Sequence, residues 1–334
     1  MRVGIPRGLF FYHFYPQWKT FFNRLDWEVT TSPPTNKKMA GGGILTAVSE
    51  ACFPVKVLYG HVLELAGRGV DYIFMPRLVS IEQRSYICPK FMGIPDMLRA
   101  QIPGIPPLID LCIDVSRNEG NLYRELDRWA KKMGLRPGRV RKAWNDSTRA
   151  TCELEAICRR GYTLGEGIAI WEGKTAVEPG PGDLTVGVLG HCYALNDPLI
   201  SLGLFERLRE MGAAVVTSEM LDPQKIEAAA ARLPKRVFWT VGRKMVGTAL
   251  MLDEDPEVDG LIYLTCFGCG PDSMIARIIE HRVNKPFMLL TVDEHSGEAG
   301  VVTRLEAFCD MLRRKRRLEL AHNLSPYGEF LYSH

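Results

Sequence analysis

The stretch that decides the fold is LIYLTCFGCGPDSMIARIIEHR, residues 261–282. Its first four residues, Leu261–Leu264, predict a buried strand, and Met274–Arg282 carries a helical pattern. The loop between them is rich in Gly and Cys, and we interpret Asp272 or Ser273 as the N-cap of the following helix. A strand that leads directly into a helix through a short loop is one unit of a parallel α/β sheet.

The same alternation of strand and helix occurs on both sides of the middle of the chain. It predicts two Rossmann-like domains with parallel sheets, in residues 1–116 and 185–334. The predicted strands are Arg2–Ile5, Glu28–Thr31, Tyr72–Met75, Pro107–Cys112, Thr185–Leu189, Ala213–Thr217, Leu261–Leu264 and Phe287–Val292. The predicted helices include Phe10–Leu25, Ile44–Glu50, Val55–Ala66, Pro95–Gln101, Pro198–Met211 and Val301–Arg316.

Two segments between these halves have a different character. Residues 117–171 carry no strand signal and are rich in charged, helix-favouring residues, so we interpret them as a helical insert. Residues 172–184, EGKTAVEPGPGDL, are dense in Gly and Pro and predict a linker. In open parallel sheets, ligands bind beyond the carboxyl ends of the strands, so we expect the functional residues in the loops that follow the strands.

Composition narrows the class of protein. The 334 residues suggest about two domains, and 46% hydrophobic with 24% charged residues is typical of a globular protein. A net charge of +3 does not indicate a nucleic-acid partner. The sequence shows neither a secretory apolar region at its start nor an apolar run of ~18 residues, so we expect a cytoplasmic protein without a membrane partner. Nine cysteines, an odd number, favour metal or redox chemistry over disulfides.

Three cysteines share one local pattern, in which a proline or glycine follows closely and a helix is predicted to begin: Cys52, Cys88 and Cys269. Backbone N–H groups at a helix start favour a thiolate. Thiolates from distant segments that converge between domains suit an iron–sulfur cluster, whereas zinc usually takes four ligands in tight pairs. Because buried free cysteine is common, the residues alone leave ligand status open.

The other six cysteines divide into two groups. Cys192 and Cys266 follow predicted strands and are candidates for additional ligands, and Cys266 forms a C-x-x-C pair with Cys269. We interpret the rest as packing residues or as thiols on separate helix faces: Cys112, Cys152, Cys158 and Cys309.

Polar residues after the strands of the second half supply candidate catalytic groups. His191, Glu294 and His295 could move protons or hydrogen-bond a cluster. Acidic residues after these strands could instead have a structural role. Asp197 could cap a helix, and Asp293 or Glu294 could accept hydrogen bonds from loop amides.

Cations also lie beside the predicted ligands. Lys56, Lys90 and Arg77 could offset the charge of a cluster, meet a phosphate of CoA or remain solvated. The phosphate loop G-x-x-x-x-G-K-S/T is missing from the sequence, so we expect ATP hydrolysis to belong to a partner. No G-x-G-x-x-G follows the first strand, which gives a nicotinamide or flavin site no support.

Taken together, the motifs resemble a known family, the uncharacterised proteins related to the activase of 2-hydroxyglutaryl-CoA dehydratase. Those proteins are similar in turn to 2-hydroxyacyl-CoA dehydratase subunits of the β type, benzoyl-CoA reductase subunits and double-cubane cluster proteins. The motifs that carry the resemblance are GIPRGLFFYHFYPQWKTFF (4–22), SPPTNKK (32–38), EACFPVKVLYGHV (50–62), FMPRLVSIE (74–82), YICPKFMGIPD (86–96), FGCGPDS (267–273) and LLTVDEHSGEAG (289–300).

The resemblance implies a metal-cluster site between two Rossmann-like domains, with Cys52, Cys88 and Cys269 as ligands. It also implies a separate ATP-dependent activase that donates electrons to the cluster. The chain departs from the family pattern at Cys192 and Cys266, where other residues are usual. These two would raise the thiols to five, one short of the six of a double-cubane [8Fe–9S] cluster, so we expect a single [4Fe–4S] cluster.

The expected function is that of an anaerobic iron–sulfur protein that uses low-potential electrons for radical reduction or dehydration, with an acyl-CoA as the candidate substrate. It would be a lyase like 2-hydroxyacyl-CoA dehydratase or a component of an ATP-dependent reductase, and we expect a homo- or hetero-oligomer. The alternatives are a non-enzymatic electron carrier or cluster-handling partner, and a structural zinc protein.

Overall fold

The computed structural model describes residues 1–324, with side chains to residue 318. Its strands are β1 (Arg2–Ile5), β2 (Glu28–Thr31), β3 (Tyr72–Phe74), β4 (Arg77–Ser80), β5 (Leu108–Ile109), β6 (Cys112–Asp114), β7 (Leu184–Gly190), β8 (Ala213–Val216), β9 (Gly260–Cys266) and β10 (Phe287–Val292). Its α-helices are α1 (Phe11–Arg24), α2 (Lys37–Thr46), α3 (Phe53–Ala66), α4 (Lys90–Gln101), α5 (Gly120–Lys132), α6 (Pro137–Cys158), α7 (Leu164–Trp171), α8 (Cys192–Leu195), α9 (Leu204–Glu210), α10 (Pro223–Ala230), α11 (Thr240–Glu254), α12 (Gly270–Glu280) and α13 (Glu298–Leu324).

The strands form two four-stranded parallel sheets with the same topology. The first has the order β2-β1-β3-β5, and the second has the order β8-β7-β9-β10. Numbered within its own half, each sheet therefore reads 2-1-3-4, the order of a doubly wound sheet whose ligands bind where the order reverses. The predicted α/β class with parallel sheets is confirmed, while the proposed domain boundaries stay a prediction.

The central strands of the second sheet show why this sequence folds as a parallel sheet. Every residue of β9 is buried, and most of β7 is buried as well. Strands covered by helices on both faces lose the alternation of polar and apolar residues and become continuous apolar runs. These are the runs from which the strands were predicted.

The helices α5, α6 and α7 occupy the segment predicted to be a helical insert. They pack on α1 through aromatic side chains: Phe21 lies 5.3 Å from Trp144 and 5.9 Å from Trp129 between ring centroids. Such aromatic pairs stabilise the core beyond the effect of the apolar area that they bury. The insert thus extends the core of the first half.

Several predicted elements differ from the structure. The helix predicted at Ile44–Glu50 is instead α2, which begins after Asn36, whose side chain accepts a hydrogen bond from the Met39 N–H. The run Pro107–Cys112 splits into two strands, and the second of them, β6, pairs with β4 in a small parallel sheet that the sequence did not predict. Of the predicted helix Pro198–Met211, only α9 forms.

Among the described helices, none combines the length and the apolar character that a membrane-spanning segment needs.

Two glycines allow close contact between α2 and α3, the helix that begins beside Cys52. A Cβ atom on Gly43 would lie 2.0 Å from the carbonyl oxygen of Lys56, and one on Gly60 would lie 2.1 Å from the carbonyl oxygen of Met39. Distances this short leave no space for a side chain. The backbones of the two helices are therefore in direct contact.

We predict that Gly43→Ala lowers the free energy of unfolding by roughly 1–3 kcal/mol or more, because the new methyl group would meet the backbone of α3. The control is Gly41→Ala in the same helix, where a Cβ would meet nothing within 4 Å. There the better helix propensity of Ala should stabilise by up to about 1 kcal/mol. Denaturant unfolding of both variants tests this, and equal effects would contradict the contact.

Candidate functional site

Each of the three predicted ligands lies at the start of a helix. Cys52 is the N-cap of α3, Cys269 is the N-cap of α12, and Cys88 directly precedes Pro89, the N-cap of α4. The first turns of α3 and α12 also contain a proline, a residue suited to that position. The positive ends of three helix dipoles are therefore placed next to three thiols.

The three thiols are close enough to influence one another. Burial raises the pKa of the Cys52 thiol, the Lys90 ammonium lowers it, and Cys269 and Cys88 raise it further. A Cβ atom on Gly268 would lie 3.9 Å from the Cα atom of Cys52, so the loop after β9 touches the start of α3. Cys52 therefore interacts with thiols from two distant segments of the chain, and the binding of one metal group by all three stays a prediction.

His191 contacts the same group of residues. Its Nε2 atom lies 3.7 Å from the Cys269 sulfur and 3.1 Å from the Asp272 Oδ1 atom. Burial alone would lower the pKa of His191, but the Asp272 carboxylate and Cys269 outweigh burial and raise the pKa well above its ordinary value. Candidate ligand atoms of these three residues lie within 4.8 Å of one another. Among the predicted catalytic candidates, His191 is therefore the one that contacts a predicted ligand, Cys269.

The prediction that Asp272 caps a helix was wrong. The sequence predicted a helix N-cap, whereas Cys269 is the N-cap and the Asp272 carboxylate is buried under the site. It accepts hydrogen bonds from the Tyr263 hydroxyl at 2.8 Å and from the Thr265 hydroxyl at 3.1 Å. Burial would raise the pKa of Asp272, but His191 and then the hydrogen bonds with Tyr263 and Cys269 lower it.

The sequence analysis also missed Tyr193. Its ring stacks on the His191 ring, with 4.9 Å between centroids and an angle of 9° between planes. Burial raises the pKa of its hydroxyl, and Cys269 and Cys52 raise it further. An aromatic residue two positions after a histidine carries no sequence signal for such a role, because the stacking depends on the turn at α8.

The two additional thiols occupy different surroundings. Cys266 is buried, and its pKa is raised by burial and then by Cys52, Asp272 and Cys269, so it lies near two of the three predicted ligands. Cys192 directly follows His191 in the chain. Burial and then the nearby Glu219 raise the pKa of the Cys192 thiol to about 12, against the opposing effect of Lys244. Cys266 is thus the better placed candidate for a fourth ligand.

Glu294 and His295 are separate from this group. The Glu294 carboxylate forms an ion pair with Lys56, one turn into α3 from Cys52. His295 is exposed, and its backbone N–H donates to Asp293, which also accepts from the Ser296 hydroxyl. Asp293 therefore accepts hydrogen bonds within its own loop, which is the structural role given above as the alternative.

Two other predicted residues have mainly structural contacts. Arg77 forms ion pairs with Asp96 and Asp110 on the first half of the chain. Asp197 accepts hydrogen bonds from the backbone N–H groups of Leu199 and Ile200, so it caps the turn before α9.

The chemistry of the three thiols suits a metal group. Neighbouring thiolates repel one another and are costly when partly buried, and the pKa of Cys52 is raised for this reason. A metal held between them removes that cost, because coordination deprotonates thiols outright. Cys52, Cys88 and Cys269 are the residues that would hold it.

The fold and the site define an α/β protein with two parallel sheets of the same order and a cysteine-rich site at the starts of three helices. The chain belongs to the family described as the CoA enzyme activase uncharacterised domain (DUF2229), whose model matches residues 2–221. The matched region contains Cys52, Cys88 and His191. Among curated proteins, no match to the chain was found.

One ion pair near the site gives a prediction on stability. The Lys244 Nζ atom lies 3.0 Å from the Glu219 Oε1 atom, and Lys244 outweighs burial to hold the pKa of Glu219 at about 2. Both side chains are partly exposed, 31% for Lys244 and 12% for Glu219, so removing one partner costs less than in a fully buried pair. We therefore expect Glu219→Gln to lower the free energy of unfolding by roughly 1–2 kcal/mol at pH 7.

The stability lost in Glu219→Gln should decrease as the pH falls. The carboxylate of Glu219 has a folded pKa below its ordinary value of 4.5, so its contribution is complete above about pH 4.5 and disappears towards pH 2. The difference between Glu219→Gln and the original protein should shrink over this range. Denaturant unfolding at pH 7, 4 and 3 measures it, with the exposed Glu210→Gln as control. A constant difference would contradict the assignment.

Proposed function

We propose that the chain is an iron–sulfur protein that receives low-potential electrons from an ATP-dependent activase and uses them for radical reduction or dehydration of a bound substrate. The cluster would be held by Cys52, Cys88 and Cys269, with [4Fe–4S] as the expected type. Such a cluster supplies transfer of single electrons at low potential. We expect the protein to work without oxygen.

The observation that supports this proposal is that three thiols lie at three helix starts and that two of them, Cys88 and Cys269, influence the third, Cys52. Helix N-termini favour negative charge, and a cluster bound by thiolates is negative. Lys90 adds a cation whose charge lowers the pKa of Cys52. The family description, which names CoA enzyme activases, is consistent with an activase as partner.

The residues around the thiols have defined tasks in this proposal. His191 can hold a proton at Nε2, because the Asp272 carboxylate beside it stabilises the imidazolium. Tyr263 and Thr265 fix the orientation of that carboxylate. His191 is thus the group that we expect to deliver a proton when the substrate is reduced.

A cleft next to Cys52 could receive the substrate. Its volume is about 550 Å³, and Phe53, the residue after Cys52, forms part of its wall. Lys37 and Arg207 line it together with the carboxylates of Asp293 and Glu298, and Arg207 is paired with Glu298 at 2.9 Å. Lys37 is therefore the cation that we expect to meet a phosphate of an acyl-CoA. Glu294 belongs to the same wall, which gives this predicted catalytic candidate a place at the substrate.

We predict about four irons and four sulfides per chain in protein purified without oxygen. Replacing any one of Cys52, Cys88 or Cys269 by Ser should remove most of the iron, because each supplies one of the three ligands. The control is Cys152→Ser on the exposed face of α6, which should leave the iron content unchanged. Iron and acid-labile sulfide analyses measure both.

Zinc in place of iron, or full iron content in the three variants, would contradict the proposal. About eight irons per chain would instead indicate a doubled cluster with Cys192 and Cys266 as further ligands.

The alternative is an electron carrier without a substrate, and Cys266 is the observation that favours it. This thiol is buried and interacts electrostatically with Cys52 and Cys269. A fourth thiolate ligand would close the cluster and leave no iron open to a substrate.

Cys266→Ser separates the two possibilities. If Cys266 is not a ligand, the variant should keep the iron content and the electron paramagnetic resonance spectrum of the reduced cluster. A changed spectrum would support the carrier. Addition of an acyl-CoA thioester to the unmodified protein should then leave the spectrum unaltered in a carrier and shift it in an enzyme.

A further inference from the structure

The segment before Cys88 is bonded to the second half of the chain. We call residues 81–87, which connect β4 to Cys88, the Cys88 loop. The backbone N–H of Thr240, the first residue of α11, donates to the carbonyl oxygen of Tyr86 at 2.9 Å. Tyr86 also forms a parallel bridge with Trp239. A loop that leads to a predicted ligand of the first half is therefore attached to a helix of the second half.

Arg243, in the first turn of α11, makes the side-chain contacts of this junction. Its guanidinium donates to the Glu82 carboxylate and to the Ser85 hydroxyl, both at 2.5 Å, and these two residues belong to the Cys88 loop. It also donates at 2.8 Å to Glu227, which lies on α10. One side chain thus connects the Cys88 loop with two helices of the second half.

Burial makes these contacts necessary. Arg243 has 6% of its surface exposed, and Ser85 is fully buried. A guanidinium cannot lose its charge by deprotonation, and a buried charge without partners is costly. If the Cys88 loop moved away, Arg243 would keep Glu227 and lose the two partners on the loop. The attached position of the loop is therefore favoured.

Aromatic rings cover the same junction. The Tyr86 ring stacks on the Phe238 ring, with 5.1 Å between centroids and an angle of 20° between planes. The Phe238 ring in turn lies 6.0 Å from the Trp239 ring between centroids. Aromatic pairs stabilise beyond the apolar area that they bury. They hold the Cys88 loop at a point two residues before Cys88.

The junction limits where Cys88 can lie. Because an extended chain spans at most about 3.6 Å per residue, the Cα atom of Cys88 lies within roughly 7 Å of that of Tyr86. Helix α11 packs closely on α12, the helix that begins after Cys269. A Cβ atom on Gly242 would lie 2.8 Å from the side chain of Ile275 in α12. The position of Cys88 is thereby connected, through α11, to that of Cys269.

We propose that Arg243 is a positioning residue, which holds the Cys88 loop on α11 and so keeps the Cys88 thiol near those of Cys52 and Cys269. The inference rests on the proposed function in one respect, since it takes Cys88 as a ligand. The contacts of Arg243 themselves involve a carboxylate and a hydroxyl of the loop and do not involve the thiols.

Arg243→Gln should release the Cys88 loop and expose the Cys88 thiol. We expect Cys88 to react with iodoacetamide about threefold to tenfold faster in this variant, because the loss of charge-assisted hydrogen bonds makes local opening more frequent. Peptide mass spectrometry measures the rate at each cysteine in protein purified without oxygen. Arg243→Lys, which keeps the charge but lacks the planar fork of donors, should give an intermediate rate.

Two comparisons separate loop release from general loosening. Cys309 is buried in the second half and reports unfolding of the whole chain, so its rate should not change. Glu82 and Glu227 both pair with Arg243, and their side chains are 48% and 56% exposed, but only Glu82 belongs to the Cys88 loop. Glu82→Gln should accelerate the reaction of Cys88 about two- to threefold, and Glu227→Gln should leave it unchanged.

Unchanged reactivity of Cys88 in Arg243→Gln, equal acceleration at Cys309 or equal effects of the two glutamate variants would each overturn the proposal. Iron analysis of the same samples keeps the two hypotheses separate. Iron-free protein in which Cys88 responds as expected would refute the proposed cluster and support the role of Arg243. Full iron content with unchanged reactivity of Cys88 in Arg243→Gln would do the opposite.

Discussion

The candidate site depends on the electrostatic cost of placing the partly buried thiol of Cys52 near those of Cys88 and Cys269. Thiolates that lie together repel one another, and partial burial adds to the cost. The fold offsets it with three helix starts and the ammonium of Lys90. Because the three helices belong to three distant segments, both halves of the chain must fold and pack before the site exists.

The surrounding residues keep this arrangement in place. On one side, the close contact of α2 and α3 at Gly43 and Gly60 fixes the helix that begins at Cys52. On the other, Asp272 connects His191 with Tyr263 in the central strand β9. A buried carboxylate with three partners is a rigid element, since loss of any partner leaves an unsatisfied charge. The proton that His191 can hold is therefore placed by the core of the second sheet.

Much of the fold followed from the sequence, because buried parallel strands are continuous apolar runs that are easily recognised. The positions of Cys52, Cys88 and Cys269 at helix starts could also be predicted, since the proline or glycine that follows each of them marks the start of a helix. The small sheet of β4 and β6 was missed because its strands are short and lie within longer runs. Helix α2 was placed too far along the chain, because its three consecutive glycines disfavour a helix, and the contact with α3 explains only the third of them, Gly43.

The residues that support the site were the hardest to predict. Asp272 has the spacing of a helix cap, and only the three-dimensional structure shows that it pairs with His191, which is 81 positions earlier in the chain. The pairing of Asp272 with His191 depends on how β7 and β9 lie side by side, which sequence spacing does not report. Tyr193 stacks on His191 through the turn at α8, which the sequence did not predict either.

The central claim is that Cys52, Cys88 and Cys269 hold one iron–sulfur cluster together. Anomalous X-ray diffraction at the iron absorption edge, from crystals grown without oxygen, tests it most directly. We expect one compact group of iron peaks, with an iron within about 2.3 Å of each of the three sulfur atoms. Iron bound elsewhere, or anomalous signal at the zinc edge between these thiols, would contradict it.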